Sequence, residues 1–516
     1  MTDSNWFYRK KGKKWILIFL ILCVNLLIIE AILFDIEPYW GDMNYYLGEF
    51  IGWEGNYALL LAIFIGIPAI YGGILFILNL RKLILTDKSK PHFLHKILAV
   101  GLLIFFNTLL GALIYLFGEE SILVVSLIEN ISVFIYLGLS IGLFILLYPL
   151  IGYIQRLLKQ SIKTPVSPRT KAIIIISCLI IGYGVGLSLP FLLRPVNIIS
   201  GDLPSKPKII AHRGASHLAP ENTLIAAELA VNLSVAGWEI DVQISRDGVP
   251  FLMHDDTLKR TTNVSAEFPG RENEPACNFT WAELRRLDAG SWFVEKDPYR
   301  AIAKGILTPN QIKKFYNVPI PSLEEAVNFT RDHGLILDVD FKGVPDWHPY
   351  YATYFNICLS YLKSAGIDTN IWIATGNRYY LNITRIEAPN MITALSIEVS
   401  DPLPVNEFLA MEYDMINVHN SLSYDVIRAY STAGIPINAW TVDSIARFSQ
   451  LWCANVTYIV TNEPHKFVGL MYPNWYMHIE IYVLFWVVIY FTGLSYVFLL
   501  KKPLGAITNN AQKENG

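Results

Sequence analysis

His212 stands beside Arg213, Glu239 two residues before Asp241, His254 beside Asp255, and Asp338 two residues before Asp340, with Lys342 two further on. Converging carboxylates with no thiolate ligand favour a hard cation, magnesium or calcium, over a soft one. Two histidines flanking such a cation suit general acid–base catalysis, because imidazole gives and takes protons near neutral pH. An arginine beside the first histidine offers a fork for a phosphate. A cation, an arginine and a lysine together describe a site for phosphoryl chemistry, where developing negative charge must be neutralised.

Such a cluster needs a scaffold that brings distant stretches together. From about Lys208, short β-branched runs alternate with helical stretches, as in strand–helix units around a parallel sheet. Strands are expected at 208–212, 237–243, 250–254, 335–341, 371–375, 392–397, 415–419, 436–442 and 456–461, and helices near 222–235, 322–333, 348–365, 403–411, 423–433 and 444–452. About 260 residues of this alternation fit an α/β fold, the (β/α)8 TIM barrel. The surplus strand is expected in a hairpin at 239–254, where Asp247-Gly248 leaves no room for a helix. Residues 260–320, rich in Pro, Asn and charge, are expected as an insertion after the third strand. Chemistry in such barrels sits at the C-terminal ends of strands, and the polar residues gather there. Glu239 and Asp241 share one face of their strand, as do Asp338 and Asp340. Any one strand-end carboxylate is often only a loop anchor; the ordered set is what argues for function. Asn222 is expected to cap the helix that follows it, and Trp440 to belong to the core.

The rest of the chain has a different texture. Of 516 residues, 53% are hydrophobic and 16% charged, against about 25% charged in soluble proteins. The excess lies in six blocks, 15–34, 57–78, 97–117, 132–154, 172–193 and 476–500, each near the roughly 20 residues that cross a bilayer. The first is too long for a cleaved signal and is read as an anchor. Lys and Arg crowd the N-terminus and the loops at 79–96 and 155–171, while those at 35–56 and 118–131 contain neither. This bias puts both termini in the cytoplasm and 194–475 outside. Asn-x-Ser/Thr acceptors at Asn232, Asn263, Asn278, Asn328, Asn382 and Asn455 all fall in that outer segment. So do Cys277, Cys358 and Cys453, where an oxidising compartment would permit one disulfide and leave one thiol. The expected domains are 1–200 with five spans, 201–470 forming the barrel, and 471–516 with the sixth span and tail. A net charge of −3 gives no support to a nucleic-acid partner.

The ordered motifs carry a resemblance. Ala211-His212-Arg213-Gly214 through Pro220-Glu221-Asn222-Thr223, then Glu239-Ile240-Asp241-Val242, then Asp247-Gly248-Val249-Pro250-Phe251-Leu252-Met253-His254-Asp255, resemble the glycerophosphodiester phosphodiesterase family, as do Trp440-Thr441-Val442 and Val460-Thr461-Asn462 further on. Six spans with the domain between the fifth and sixth resemble its multi-span animal branch, whose domain faces outward. The resemblance implies that His212 and His254 are the acid–base pair, that Glu239 and Asp241 are metal ligands, and that Arg213 and Lys342 meet the phosphate. The family's third ligand is usually Glu two residues before a Lys; Asp340 occupies that register here, with Asp338 in reserve.

The function so implied is that of a multi-pass plasma-membrane hydrolase using one divalent cation, calcium or magnesium. Its substrates would be glycerophosphodiesters such as glycerophosphoinositol or glycerophosphocholine, or glycosylphosphatidylinositol anchors. The alternative is a catalytically silent signalling or adhesion protein whose barrel binds without turnover. A transporter is disfavoured by the scarcity of charged groups at mid-membrane.

Overall fold

The computed structural model describes residues 3–35, 44, 55–86, 90–116, 132–144, 147, 150, 151, 154 and 167–499. The chain divides into two compact units, Met1–Ser200 with Met477–Gly516, and Gly201–Tyr476.

In the second unit the alternating runs form a closed barrel. Its strands are β1 (Lys208–Ala211), β2 (Gly237–Ile244), β3 (Pro250–Leu252), β4 (Ile336–Phe341), β5 (Ile371–Thr375), β6 (Ile392–Ile397), β7 (Met415–His419), β8 (Ile437–Trp440) and β9 (Tyr458–Thr461). All except β3 run parallel, in the order β1-β9-β8-β7-β6-β5-β4-β2, and a β1–β2 pairing closes the ring. The surplus strand is β3, which lies antiparallel on β2 with Val242 opposite Leu252. Gly248 makes that hairpin possible. Its φ is +91°, and a methyl there would fall 2.6 Å from the Tyr350 ring.

The register sets the site. Glu239 lies opposite Asp338 and Asp241 opposite Asp340, so two neighbouring strands lift acidic residues in step. Below them the barrel interior carries a polar ladder. Asn438 Nδ2 donates to Asp338 Oδ2 at 3.0 Å and to Asn417 Oδ1 at 3.2 Å, and Asn417 Nδ2 donates to Ser396 Oγ at 3.0 Å. Residues between β3 and β4 form short helices, among them Ser291–Lys296 and Pro309–Lys313, as an insertion should. The helix Arg378–Glu387, between β5 and β6, is not among the expected ones; it buries Leu381 and Thr384 and stacks the Tyr380 ring on Phe355. Cys277, Cys358 and Cys453 are buried and unbonded, so the disulfide that the sequence permitted is not made.

In the first unit, five helices among the described residues are long and apolar enough to cross a membrane: Lys14–Ala31, Tyr57–Leu83, Phe93–Gly111, Thr170–Leu192 and Ile479–Val497. The expected span at 132–154 is helical over Ser132–Phe144, and most of its remainder lies outside the described residues, as do most of the loops at 35–56, 118–131 and 155–171 and the tail from 500. Asn25 and Asn107 exchange amide hydrogen bonds at 3.2 and 3.1 Å, which satisfies two polar groups within spans. Gly138 and Gly142 face Val24 and Leu20 of the first helix. Ile198–Ile199 pairs in parallel with Met477–His478, joining the two stretches of this unit.

Candidate active site

Three carboxylates meet at the C-terminal face of the barrel. One ligand oxygen from each of Glu239, Asp241 and Asp340 lies within 4.8 Å of the others. Lys342 Nζ stands against two of them, 2.7 Å from Asp241 Oδ1 and 2.6 Å from Asp340 Oδ2. Arg213 Nη1 donates to Glu221 Oε1 at 3.0 Å, its Nε lies 3.1 Å from Asp241 Oδ2, and its backbone N–H donates to Glu239 Oε2 at 2.9 Å. Arg213 holds a left-handed backbone, φ +53°, which aims that N–H at the carboxylate. Such a conformation in a non-glycine residue is uncommon and clusters at functional sites.

The two histidines come from strand ends beside this group. His212 Nε2 is 3.7 Å from Glu239 Oε2, and its Nδ1 lies 2.7 Å from Asn462 Oδ1. His254 Nδ1 lies 2.8 Å from Asp255 Oδ1. Asp255 in turn is held by Arg260, whose Nε donates to Oδ2 at 2.6 Å and Nη2 to Oδ1 at 2.8 Å. His254 follows Met253, whose N–H donates to the Asp241 carbonyl at 3.0 Å, so its backbone lies beside that of Asp241.

Burial and the like charges of Asp241 and Asp340 push the Glu239 carboxyl well above the usual range. Burial would raise Asp241 too, but Lys342 and Arg213 outweigh it and hold that group ionised. Burial, with Arg213 beside it, pulls His212 below the ordinary histidine value. Asp338 does not join the cluster. It faces Asn438, and burial together with Asp340 pushes it up to about 7.

The profile of the Glycerophosphoryl diester phosphodiesterase family matches residues 212–466, the stretch that builds this site. The glycerophosphoinositol inositolphosphodiesterase GDPD2 of Homo sapiens is 30% identical over 450 residues, covering 86% of this chain and 78% of that protein. The chain belongs to the glycerophosphoryl diester phosphodiesterase family. The phosphodiesterase is also 29% identical over 454 residues to the GDPD2 protein of Mus musculus, covering 87% of this chain and 80% of that one. Among solved structures it resembles a glycerophosphodiester phosphodiesterase from Agrobacterium tumefaciens, with 23% identity and a TM-score of 0.40 over 51% of this chain and 100% of that one.

The donors of the phosphodiesterase fit a divalent cation. The cluster offers oxygen only, its three groups are buried or half-buried, and Glu239 is destabilised as an anion by burial and by its acidic neighbours. That is the charge imbalance a hard cation relieves.

The roles of five residues at the site were not legible from residue spacing. Asn222 does not cap the next helix; Thr223 does, its side chain accepting from Ala226 N at 3.2 Å. Asn222 instead donates Nδ2 to Asp241 Oδ2 at 2.7 Å and accepts from Asp241 N at 3.1 Å. Glu221 takes two hydrogen bonds from Arg260, each 2.7 Å, as well as one from Arg213. Arg260 reaches in from the insertion, and Asp443 and Asn462 from the ends of the last two strands. The remaining expected positions lie on the surface of this unit. Asn232, Asn263, Asn382 and Asn455 are exposed, and Asn278 and Asn328 half-buried. Trp440 packs, partly buried, against the cluster of Ile210, Trp372 and Met415, as a core residue should.

Proposed function

We propose that this phosphodiesterase hydrolyses glycerophosphodiesters, with His212 and His254 as its acid–base pair. The observation that carries this reading is that both imidazoles come from chain beside the carboxylate group, His212 with Nε2 3.7 Å from Glu239 Oε2 and His254 next to Met253, whose N–H donates to the Asp241 carbonyl at 3.0 Å, and that each ring has a separate acceptor at Nδ1, Asn462 and Asp255. One imidazole takes the proton from the attacking oxygen, and the other delivers a proton to the leaving alkoxide oxygen. Arg213 and Lys342 supply fixed positive charge for the phosphate, the first through a planar fork and the second as a point charge. Glu239, Asp241 and Asp340 would hold a divalent cation, calcium or magnesium, which would supply further neutralisation of the phosphate charge. Asp241 needs no proton loss to serve as a ligand, because Lys342 and Arg213 already hold it ionised.

The substrate class includes glycerophosphoinositol, on which the human and mouse relatives act by name, and extends to glycerophosphocholine and glycosylphosphatidylinositol anchors. The barrel faces the extracellular or lumenal side and both termini the cytoplasm, with the plasma membrane as the home of the protein. The charge asymmetry of the loops and the acceptors Asn232, Asn263, Asn278, Asn328, Asn382 and Asn455 support that orientation.

The test is a screen of the purified full chain with calcium or magnesium over glycerophosphoinositol, glycerophosphocholine and glycerophosphoethanolamine, identifying the phosphate ester released. Hydrolysis of at least one supports the reading. Binding with no turnover under either cation would replace it with the silent-barrel alternative.

A further inference from the structure

We propose that Asp443 and Asn462 are positioning residues that hold His212 in a single tautomer, with Nε2 as its proton-accepting atom. The proposal rests on the reading of His212 as one of the catalytic pair.

Asn462 follows directly on the last residue of β9 and is held from two sides by Asp443. Its backbone N–H donates to Asp443 Oδ1 at 2.9 Å and its Nδ2 to Asp443 Oδ2 at 2.7 Å. Thr461 Oγ1 donates to the same Oδ1 at 2.8 Å. Both Asp443 oxygens accept in these bonds, so the nitrogen end of the amide faces Asp443 and Oδ1 points the other way. There Oδ1 receives Ser216 Oγ at 2.8 Å and lies 2.7 Å from His212 Nδ1. An amide oxygen also only accepts. Both contacts therefore require a donor, and Nδ1 of His212 carries the hydrogen.

A neutral imidazole bears one ring hydrogen, so Nε2 keeps its lone pair. Nε2 is the atom turned toward the carboxylate group, 3.7 Å from Glu239 Oε2. The same strand end fixes the backbone, because His212 N donates to Thr461 O at 2.9 Å. The chain of bonds thus runs from a carboxylate through an amide to a ring, and each link allows only one direction of donation. A histidine whose Nδ1 partner were ambivalent would divide between two tautomers, and only one of them accepts a proton at Nε2.

The chemistry suggests a swap. With Asn at 443 and Asp at 462, the amide at 443 can donate to the carboxylate at 462, which still presents an accepting oxygen to Nδ1. The experiment compares Asp443→Asn, Asn462→Ala and the double variant Asp443→Asn with Asn462→Asp in the full-length protein. Glycerophosphoinositol with calcium or magnesium is the probe, kcat and KM are measured separately, and His212→Ala is the control. Each single change should lower kcat about 10- to 100-fold with KM within about twofold, and the double variant should recover most of the loss. Wild-type kcat in the single variants, or losses confined to folded yield with no recovery in the swap, would overturn the positioning role. Full activity in His212→Ala would instead defeat the underlying reading of the catalytic pair, so the two failures are distinguishable.

Discussion

Asn222 and Asp241 clasp each other at the barrel mouth: the amide nitrogen donates to the carboxylate at 2.7 Å, and the amide oxygen accepts the Asp241 backbone N–H at 3.1 Å. Asn222 does this from a left-handed backbone, φ +54°. Asn222→Gly keeps that conformation at no steric cost and removes the clasp. The cation concentration giving half-maximal rate should rise about 10- to 100-fold, the usual effect of losing a partner that orients a ligand. An unchanged midpoint in a titration of initial rate against calcium or magnesium would show that Asp241 is held without it.

Arg260 joins Glu221 to Asp255, and through them touches both Arg213 and His254. Burial resists ionisation of Glu221, but Arg260 and Arg213 prevail and hold its carboxyl low; Arg260, with His254, does the same for Asp255. A lysine offers one point charge where the guanidinium offers a fork. Arg260→Lys should therefore lower kcat/KM about 10-fold or more, given roughly 1.5–3 kcal/mol per hydrogen bond to a charged group. Steady-state kinetics decide, and wild-type values for the lysine variant would reduce Arg260 to a surface contact.

Much of the barrel could be read directly, because strand alternation and helix periodicity are local signals. The hairpin was legible from Asp247-Gly248, and the carboxylates of the site from their two-residue spacing on β2 and β4. What escaped shares one property: its meaning depends on a partner far away in sequence. Asn222 sits where a cap would sit, and only the approach of β2 reveals its bond to Asp241. Arg260 lies in a stretch with no strand pattern, and Asp443 and Asn462 meet just beyond the ends of the neighbouring strands β8 and β9. The unmade disulfide has the same origin, since composition counts cysteines but does not place them. The choice between Asp338 and Asp340 turned on depth, as both occupy one face and only the upper one reaches the cluster.

His348 tests a pH effect away from the chemistry. It is buried, Nδ1 accepts from Tyr350 N at 3.2 Å, and Nε2 faces the Cys277 carbonyl at 3.2 Å. Burial lowers its tendency to protonate. The unfolded chain takes up a proton below pH about 6.5 while the folded one resists. The stability due to His348 is thus complete above that pH and declines as pH falls below it. Melting temperature should drop more between pH 7 and 5 in the wild type than in His348→Gln. Equal slopes would contradict the assignment.

Gly214 completes the turn after Arg213 at φ +79°, and a methyl there would fall 2.6 Å from Ala226 Cβ and 2.7 Å from its backbone carbon. Neither neighbour is the end of a flexible chain. Gly214→Ala should destabilise the barrel by about 2–4 kcal/mol, seen as a fall of roughly 5–10 °C in melting temperature. A shift under about 2 °C would mean that the helix at Leu224–Asn232 gives way easily.

The most direct test of the whole account is hydrolysis of glycerophosphoinositol by the purified full chain, measured for the wild type, His212→Ala and His254→Ala, each with added calcium or magnesium and again after chelation. The account predicts turnover by the wild type alone and only with the cation present, with all variants folded to equal yield. Undiminished turnover in either histidine variant, or in the chelated wild type, would contradict it.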